Sequence, residues 1–296
     1  MDCDQSKRIL RAIRVFEDRL TGHVTVSEAA EAACYSLYHF CRTFNTVAHH
    51  SPYDYLMRRR LSEAAQRLIG AESDSRRPRI IDIAFDYRFN SAESFSRAFK
   101  KMFGVQPKQY RNRGTIDRRY LLDEITAHHL DLMNRAAGPI PERIQLDGMT
   151  VTGLMRFVSR ECAGIDRLWE DLGTGPRTKI AQHSSSQGVS PYIGIACFPR
   201  EWKRSGLYYL AGVRRQEHET ENPALIAKQL AAGMYARFSF AAKHDELQHI
   251  LEYILQTWLQ KSGYRREVPF VLIAYDSRPE PGGKAVIGQQ VCVPLL

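Results

Sequence analysis

Two arginines in this sequence sit in the same frame. Arg42 lies between Phe40 and Phe44, six residues after Ser36. Arg97 lies between Phe95 and Phe99, six residues after Ser91. In a helix the two phenylalanines share a face, and the arginine at i+2 points elsewhere. Arginine carries a rigid planar fork of donors, which matches the acceptor pair on the major-groove edge of guanine. Serine at the head of each segment is a good N-cap, because its hydroxyl accepts from an orphan N–H of the first turn. The chemistry on offer is therefore recognition of a surface, not bond-making. No Ser-His-Asp or Cys-His set is legible, so no catalytic residue is nominated. The six cysteines (3, 34, 41, 162, 197, 292) contain no C-x-x-C pair, and adjacent His128 and His129 cannot both face one metal from a helix. No metal site and no cofactor are expected, and reduced thiols fit a cytoplasmic protein.

The charge balance points the same way. Of 296 residues, 42 are Lys or Arg and 33 Asp or Glu, a net +9. Residues 1–114 carry 20 basic and 13 acidic side chains, and residues 115–296 carry 22 and 20, so the excess belongs to the first third. A basic region beside a near-neutral one is the footprint of nucleic-acid binding. No apolar run reaches the ~18–20 residues of a membrane span, and the first residues lack the apolar core of a secretory signal.

The elements that must position the arginines are helical. Ile9, Leu10, Ile13, Phe16 and Leu20 predict an amphipathic helix over 6–20. Ser51-Pro52 reads as an N-cap with proline at the first helical position, opening a helix to about Ile69. Residues 70–79 (GAESDSRRPR) read as a polar loop. A shift of 55 residues superimposes Val26 on Ile81, Ala29 on Ala84, Ser36 on Ser91, Phe40 on Phe95, Arg42 on Arg97 and Phe44 on Phe99. The repeated device is a short alanine-bearing helix, a turn and S-x-x-x-F-x-R-x-F, which is the logic of a helix-turn-helix. The linking helix of about 18 residues rises ~27 Å, the right order for successive major-groove segments.

Residues 5–112 resemble the DNA-binding domain of AraC/XylS-family transcription regulators, most specifically over IIDIAFDYRFNSAESFSRAFKKMFGVQPKQYR at 80–111. The resemblance implies double-stranded DNA as partner and a first recognition helix, about Ser36–Asn45, that makes most base contacts. Its outward side chains include Leu37, Tyr38, Cys41 and Arg42. Arg42 is the candidate for guanine, and Tyr38 for base methyls or a phosphate. The second helix, headed by Ser91, offers Ala92, Glu93, Ser96 and Arg97. Lys100, Lys101 and the run Arg58–Arg60 are phosphate candidates, while Phe40, Phe44, Phe95 and Phe99 are core. Two departures stand out. Cys34 occupies the usual glycine of the first turn, and the 70–79 loop is longer than in close relatives.

Beyond Pro141 the texture becomes mixed. Strand-like segments at 149–159, 192–198, 208–213, 233–240, 270–276 and 286–294 alternate with helices at 165–172 and 244–261. The expected organisation is multidomain: an all-α N-terminal domain of two helix-turn-helix units (1–113), a linker (114–141) and an α+β C-terminal domain of two similar halves (142–296). The C-terminal half resembles GyrI-like, or BmrR-type, effector-binding domains, through Tyr209–Gly212, Gly233–Phe238 and Thr257–Tyr264. That resemblance implies a small-molecule cleft and nominates Trp169, Tyr209, Tyr235, Phe238 and Tyr275 for its wall. Relatives that bind cations carry a buried glutamate where this chain has Ile273. The expected effector is therefore a neutral or anionic aromatic molecule, unless Glu201, Glu252 or Glu267 substitutes. The reading is a sequence-specific transcription regulator modulated by that effector. Its alternatives are a C-terminal domain that contacts RNA polymerase or another protein without ligand, or one with hydrolase activity.

Overall fold

The computed structural model describes residues 3–70, 78–114, 120–135, 140–159, 162, 164–174, 192–198, 206–215, 222–242, 246–265, 268–277, 279 and 287–295. Residues 71–77, most of the loop read as unusually long, lie outside the described residues, as do Glu201 and Glu267. The chain divides into two compact units.

The first unit is helical. Its elements are α1 (Cys3–Glu17), α2 (Val26–Ala32), α3 (Leu37–Ala48), α4 (Pro52–Gly70), α5 (Ile80–Asp86), α6 (Ala92–Phe103), α7 (Pro107–Arg113) and α8 (Ala127–Arg135). Helix α1 starts and stops three residues earlier than its apolar spacing predicts. Leu20 still packs against the core, but from the turn that follows the helix. Ser51 caps α4 as read, its Oγ accepting from Asp54 N at 3.2 Å.

The repeat holds with one correction. Helices α3 and α6 obey the 55-residue shift, but α2 and α5 are related by 54. Val26 therefore corresponds to Ile80 and Ala30 to Ala84. The extra residue is in the second turn, where Asn90 stands between Phe89 and the capping Ser91. Both first helices end in the same way. Tyr35 N donates to Ala30 O and Cys34 N to Glu31 O; Phe89 N donates to Ala84 O and Arg88 N to Phe85 O. This closure puts one residue in the left-handed region, and neither copy uses glycine: φ is +57° at Cys34 and +65° at Arg88.

Each helix pair has its own core. Ile9, Ile13, Phe16, Phe40, Phe44 and Tyr55 form one, and Leu61, Ile83, Phe95, Phe99, Phe103 and Tyr110 the other. The segment read as a linker contributes to both: Leu122, Ile125 and Leu130 join the first core and Leu121 the second. Glu252–Lys261 also belongs to this unit.

The second unit is an eight-stranded antiparallel sheet with strands β1 (Glu142–Leu146), β2 (Met149–Ser159), β3 (Tyr192–Cys197), β4 (Gly206–Arg214), β5 (Ile226–Leu230), β6 (Gly233–Ala242), β7 (Phe270–Tyr275) and β8 (Ile287–Pro294). Helix α9 (Ile165–Thr174) separates β2 from β3, and α10 (Leu247–Glu252) lies between β6 and β7. The order β1-β6-β8-β7-β3-β4-β2-β5 reads the same when the two β-β-α-β-β halves are exchanged. The short edge strands β1 and β5 escaped the sequence reading.

The sheet is strongly curled. Lys228 on β5 places its ammonium 6.0 Å from the centroid of the Phe270 ring on β7, although β2, β4 and β3 intervene. Four strand spacings of ~4.8 Å would separate them on a flat sheet. Only a sheet wrapped around that face brings them together. Gly153 opposite Gly212 allows the close approach that such coiling needs, since a Cβ on Gly153 would lie 2.0 Å from Ala211 O. The concave face carries one core with Val151, Ile195, Leu210, Leu230, Tyr235 and Leu272. Helix α9 packs on the opposite face, where Trp169 meets Tyr275 edge-on at 5.5 Å.

Candidate nucleic-acid interface and effector domain

Helix α3 is held by its buried face. Phe40, Thr43, Phe44, Val47 and Ala48 are buried, and Ser36 accepts from His39 N at 3.4 Å to start the helix. Most of the remaining face is exposed. Leu37 is 49% exposed and Tyr38 79%, with Arg42, Asn45 and Thr46 also exposed. An apolar and an aromatic side chain held in water next to an arginine suit base edges and thymine methyls. Cys41 differs from its neighbours: it is half-buried and packs against the core. Asn45 is an outward residue that the sequence reading left out. Continuing the i, i+3, i+4, i+7 pattern from Tyr38 through Arg42 would have found it.

Helix α6 repeats the plan. Phe95, Phe99, Met102 and Phe103 are buried; Arg97, Lys100 and Lys101 are exposed; Ala92 and Ser96 are half-buried. Ser91 and Ser94 cap each other, with Ser94 N donating to Ser91 Oγ at 3.1 Å. Glu93 is exposed, and its carboxyl is held below the usual range by its own backbone N–H and by Ser91. It is thus already engaged with the helix N-terminus, where negative charge is favourable.

The Arg58–Arg60 run is not a phosphate-contacting face. All three side chains are buried. Arg59 forms a forked pair with Glu17 (2.8 Å from Nη2 to Oε2), reaches Glu63 and donates to Leu122 O. Arg60 donates to Leu20 O and Gly22 O, and Arg58 to Gln256 O at 2.5 Å. Their guanidinium groups tie α4 to backbone carbonyls of other segments. Helical phase explains the misreading: three consecutive positions face different directions, and here all three directions are occupied.

The nominated effector residues fall on both faces of the second unit's sheet. Trp169, Tyr209 and Tyr275 form one fully buried cluster, with Tyr209 and Tyr275 hydroxyls 2.7 Å apart. The cluster is closed at Gly194, where a Cβ would meet the Tyr209 hydroxyl at 2.0 Å. Burial raises both phenols above their ordinary range. Phe238 is on that same face and stacks with Phe240. Tyr235, three residues earlier, must point the other way and lies in the concave core. Ile273 is buried among apolar neighbours, as expected. The five described cysteines (34, 41, 162, 197, 292) are free thiols. No helix among the described residues is long and apolar enough to cross a membrane.

Comparison with known proteins separates the same two regions. Residues 29–113 match a helix-turn-helix domain family, and residues 174–295 match the GyrI-like small molecule binding domain. SoxS, a regulatory protein of Escherichia coli K12, is 35% identical over 107 residues, which are 36% of this chain and 95% of SoxS. The right origin-binding protein of the same organism is 38% identical over 108 residues, 36% of each chain. YbfP of Bacillus subtilis, named as an uncharacterized HTH-type transcriptional regulator, is 34% identical over 105 residues, 36% of this chain and 34% of YbfP. The match thus spans about a third of the latter two proteins. Nearly all of SoxS is covered at this identity, and the chain belongs to the AraC/XylS family of transcription regulators, with a GyrI-like small-molecule-binding domain after its helix-turn-helix domain.

Proposed function

We propose that the chain binds specific sites in double-stranded DNA through two helix-turn-helix units, α2–α3 and α5–α6, and regulates transcription there. A small molecule held by the sheet unit modulates that binding. The observation that carries this reading is the duplication itself. Two helix pairs with the same left-handed turn each present an N-capped helix with arginine on its outer face, Arg42 and Arg97. Arg42, Leu37, Tyr38 and Asn45 form the base-reading set, and Arg97 with Lys100 and Lys101 supports the second unit. SoxS and YbfP are both named as regulators, which is consistent with this role. Phosphate contacts make binding salt-dependent, with log K falling against log salt at about −0.9 per contact.

The test compares two variants on selected operator sites and on random duplex. Losing a bidentate base contact costs ~1–3 kcal/mol at one base position, so Arg42→Ala should relax preference there and leave random binding nearly intact. Lys100→Ala should weaken both alike and flatten the salt slope by about one. Equal weakening of specific and random binding by Arg42→Ala would make Arg42 a phosphate contact and remove α3 from base readout.

A further inference from the structure

We infer that the effector site is the concave face of the curled sheet, and that it takes an amphipathic organic monoanion. The acid group of the ligand sits on Lys228, and its aromatic body lies along Phe157, Tyr208 and Phe270. This rests on the reading that the sheet unit binds a small molecule, and specifies where and of what charge.

The charge on this face decides the ligand class. Strand alternation and register place Glu142, Arg214, Lys228 and Arg237 on it, the last pairing with Cys292 of the concave core. Glu142 is the only carboxylate in the eight strands. It is already spent on Arg237, Oε2 to Nη2 at 2.5 Å. Lys228 meets no carboxylate among the described residues; its ammonium rests over the Phe270 ring, a weaker partner for a full charge. Arg214 flanks Val151 on the side opposite Lys228 in the same cross-strand row. A face with three cations and one committed acid disfavours a cationic ligand and stabilises an anion.

The shape favours an aromatic body. Register puts Phe157, Tyr208, Cys197 and Phe270 in one row across β2, β4, β3 and β7. Phe157 and Tyr208 are 42% and 45% exposed and touch edge-on at 5.4 Å between centroids. Two large aromatic side chains left exposed beside an apolar core mark a patch suited to ligand binding. Three strand spacings of ~4.8 Å give this row a span of about 14 Å, long enough for two fused rings. On the opposite face Trp169, Tyr209 and Tyr275 are fully buried against one another among the described residues.

The experiment uses the full chain and calorimetric titration with three matched probes: 1-naphthoate, 1-naphthamide and (1-naphthylmethyl)trimethylammonium. Naphthoate should bind at least about tenfold more tightly than the amide, and the cation should not bind measurably. Lys228→Met should weaken naphthoate by about tenfold and leave the amide unchanged, and Lys228→Arg should restore the preference. Thermal unfolding of the unliganded variants checks that they remain folded. The inference is overturned if no probe binds, if the cation binds best, or if Lys228→Met binds naphthoate like the parent. DNA binding with and without naphthoate separates this from the functional reading. Lys228-dependent binding that leaves DNA affinity unchanged defeats modulation and keeps the site. DNA binding that responds to naphthoate equally in Lys228→Met keeps modulation and defeats the site.

Discussion

At the residue scale, the two copies of the helix pair reveal where the chain tolerates strain. A left-handed β-carbon-bearing residue costs roughly 1–2 kcal/mol against its following carbonyl. Cys34 bears that cost at φ +57°, with an exposed side chain that contributes little in return. A left-handed residue also ends α6, where it is Gly104 at φ +76°, and its 55-residue counterpart after α3 is His49 at φ +56°. Cys34→Gly should stabilise the helical unit by about 0.5–1 kcal/mol, the strain relief less the extra freedom glycine adds to the unfolded chain. Gly104→Ala should destabilise by about 1 kcal/mol even though nothing lies within 4 Å of the new Cβ, because the cost is conformational. Urea unfolding of the full chain reads both. If Cys34→Gly lowers the midpoint, the turn is held by something other than its hydrogen bonds.

At the element scale, the start of α4 is tied to a segment two hundred residues away in sequence. His50 is fully buried, its Nδ1 2.9 Å from Asp54 Oδ2 and its Nε2 3.1 Å from Thr257 Oγ1. Thr257 lies in a π-helical stretch, Tyr253–Trp258, which α11 (Leu259–Lys261) follows. Lys261 donates to His49 O and also faces His50 and Asp54. Burial pushes the His50 imidazole down to about 3, against the pull of Asp54. The unfolded chain takes up that proton near pH 6.5. Between these values the unfolded state holds more protons, so acid favours unfolding. The His50 contribution to stability should level off above pH 6.5 and fall by up to about 1.4 kcal/mol per pH unit below it. His49, lowered by burial and Lys261, adds to the slope, and Asp54, also lowered, adds below the ordinary carboxylate range. Denaturant unfolding at pH 7.5, 6.5, 5.5 and 4.5 should show this slope, and His50→Gln should flatten it. An unchanged slope in His50→Gln would place the acid sensitivity elsewhere.

How far the sequence disclosed these elements depends on periodicity. Helices α3 and α6 were legible because Phe40 with Phe44 and Phe95 with Phe99 bury one face each, and that pattern fixes the outward arginines. Strands β1 and β5 were not, because each is five residues long, sits at a sheet edge and buries little: only Leu230 is buried in β5 and nothing in β1. An edge strand's partners lie far along the chain, so its pairing leaves no local signal. The same gap hid the concave site. Lys228 and Phe270 meet only once the sheet is curled, and strand alternation alone separates Tyr235 from Phe238 without saying which face is concave.

At the scale of the whole molecule, the matched helix-turn-helix region ends at 113, yet the cores of its unit do not. Leu121, Leu122, Ile125 and Leu130 are all under 4% exposed and complete the two clusters that α1, α3, α4 and α6 build. Tyr55 ties the first of them by its hydroxyl, which accepts from Ile125 N at 3.4 Å and donates to Glu17 Oε1 at 2.7 Å. Arg59 then bridges Glu17 and Leu122 O, so a buried charge pair and the added segment share their anchors. Burying a large aliphatic side chain is worth about 1.5–3 kcal/mol, somewhat less against a compact unfolded chain. Four of them amount to several kcal/mol, a large part of the stability of an ordinary domain. A 1–135 fragment should therefore unfold at clearly higher temperature and denaturant than a 1–113 fragment, although both carry the whole DNA-reading surface proposed above. Salt-dependent DNA shifts at low temperature should be common to both fragments, and only the longer one should retain them on warming. If the two fragments unfold together, the segment after 113 is a passenger on the helical unit, and its leucines do no more than cover a surface already stable without them.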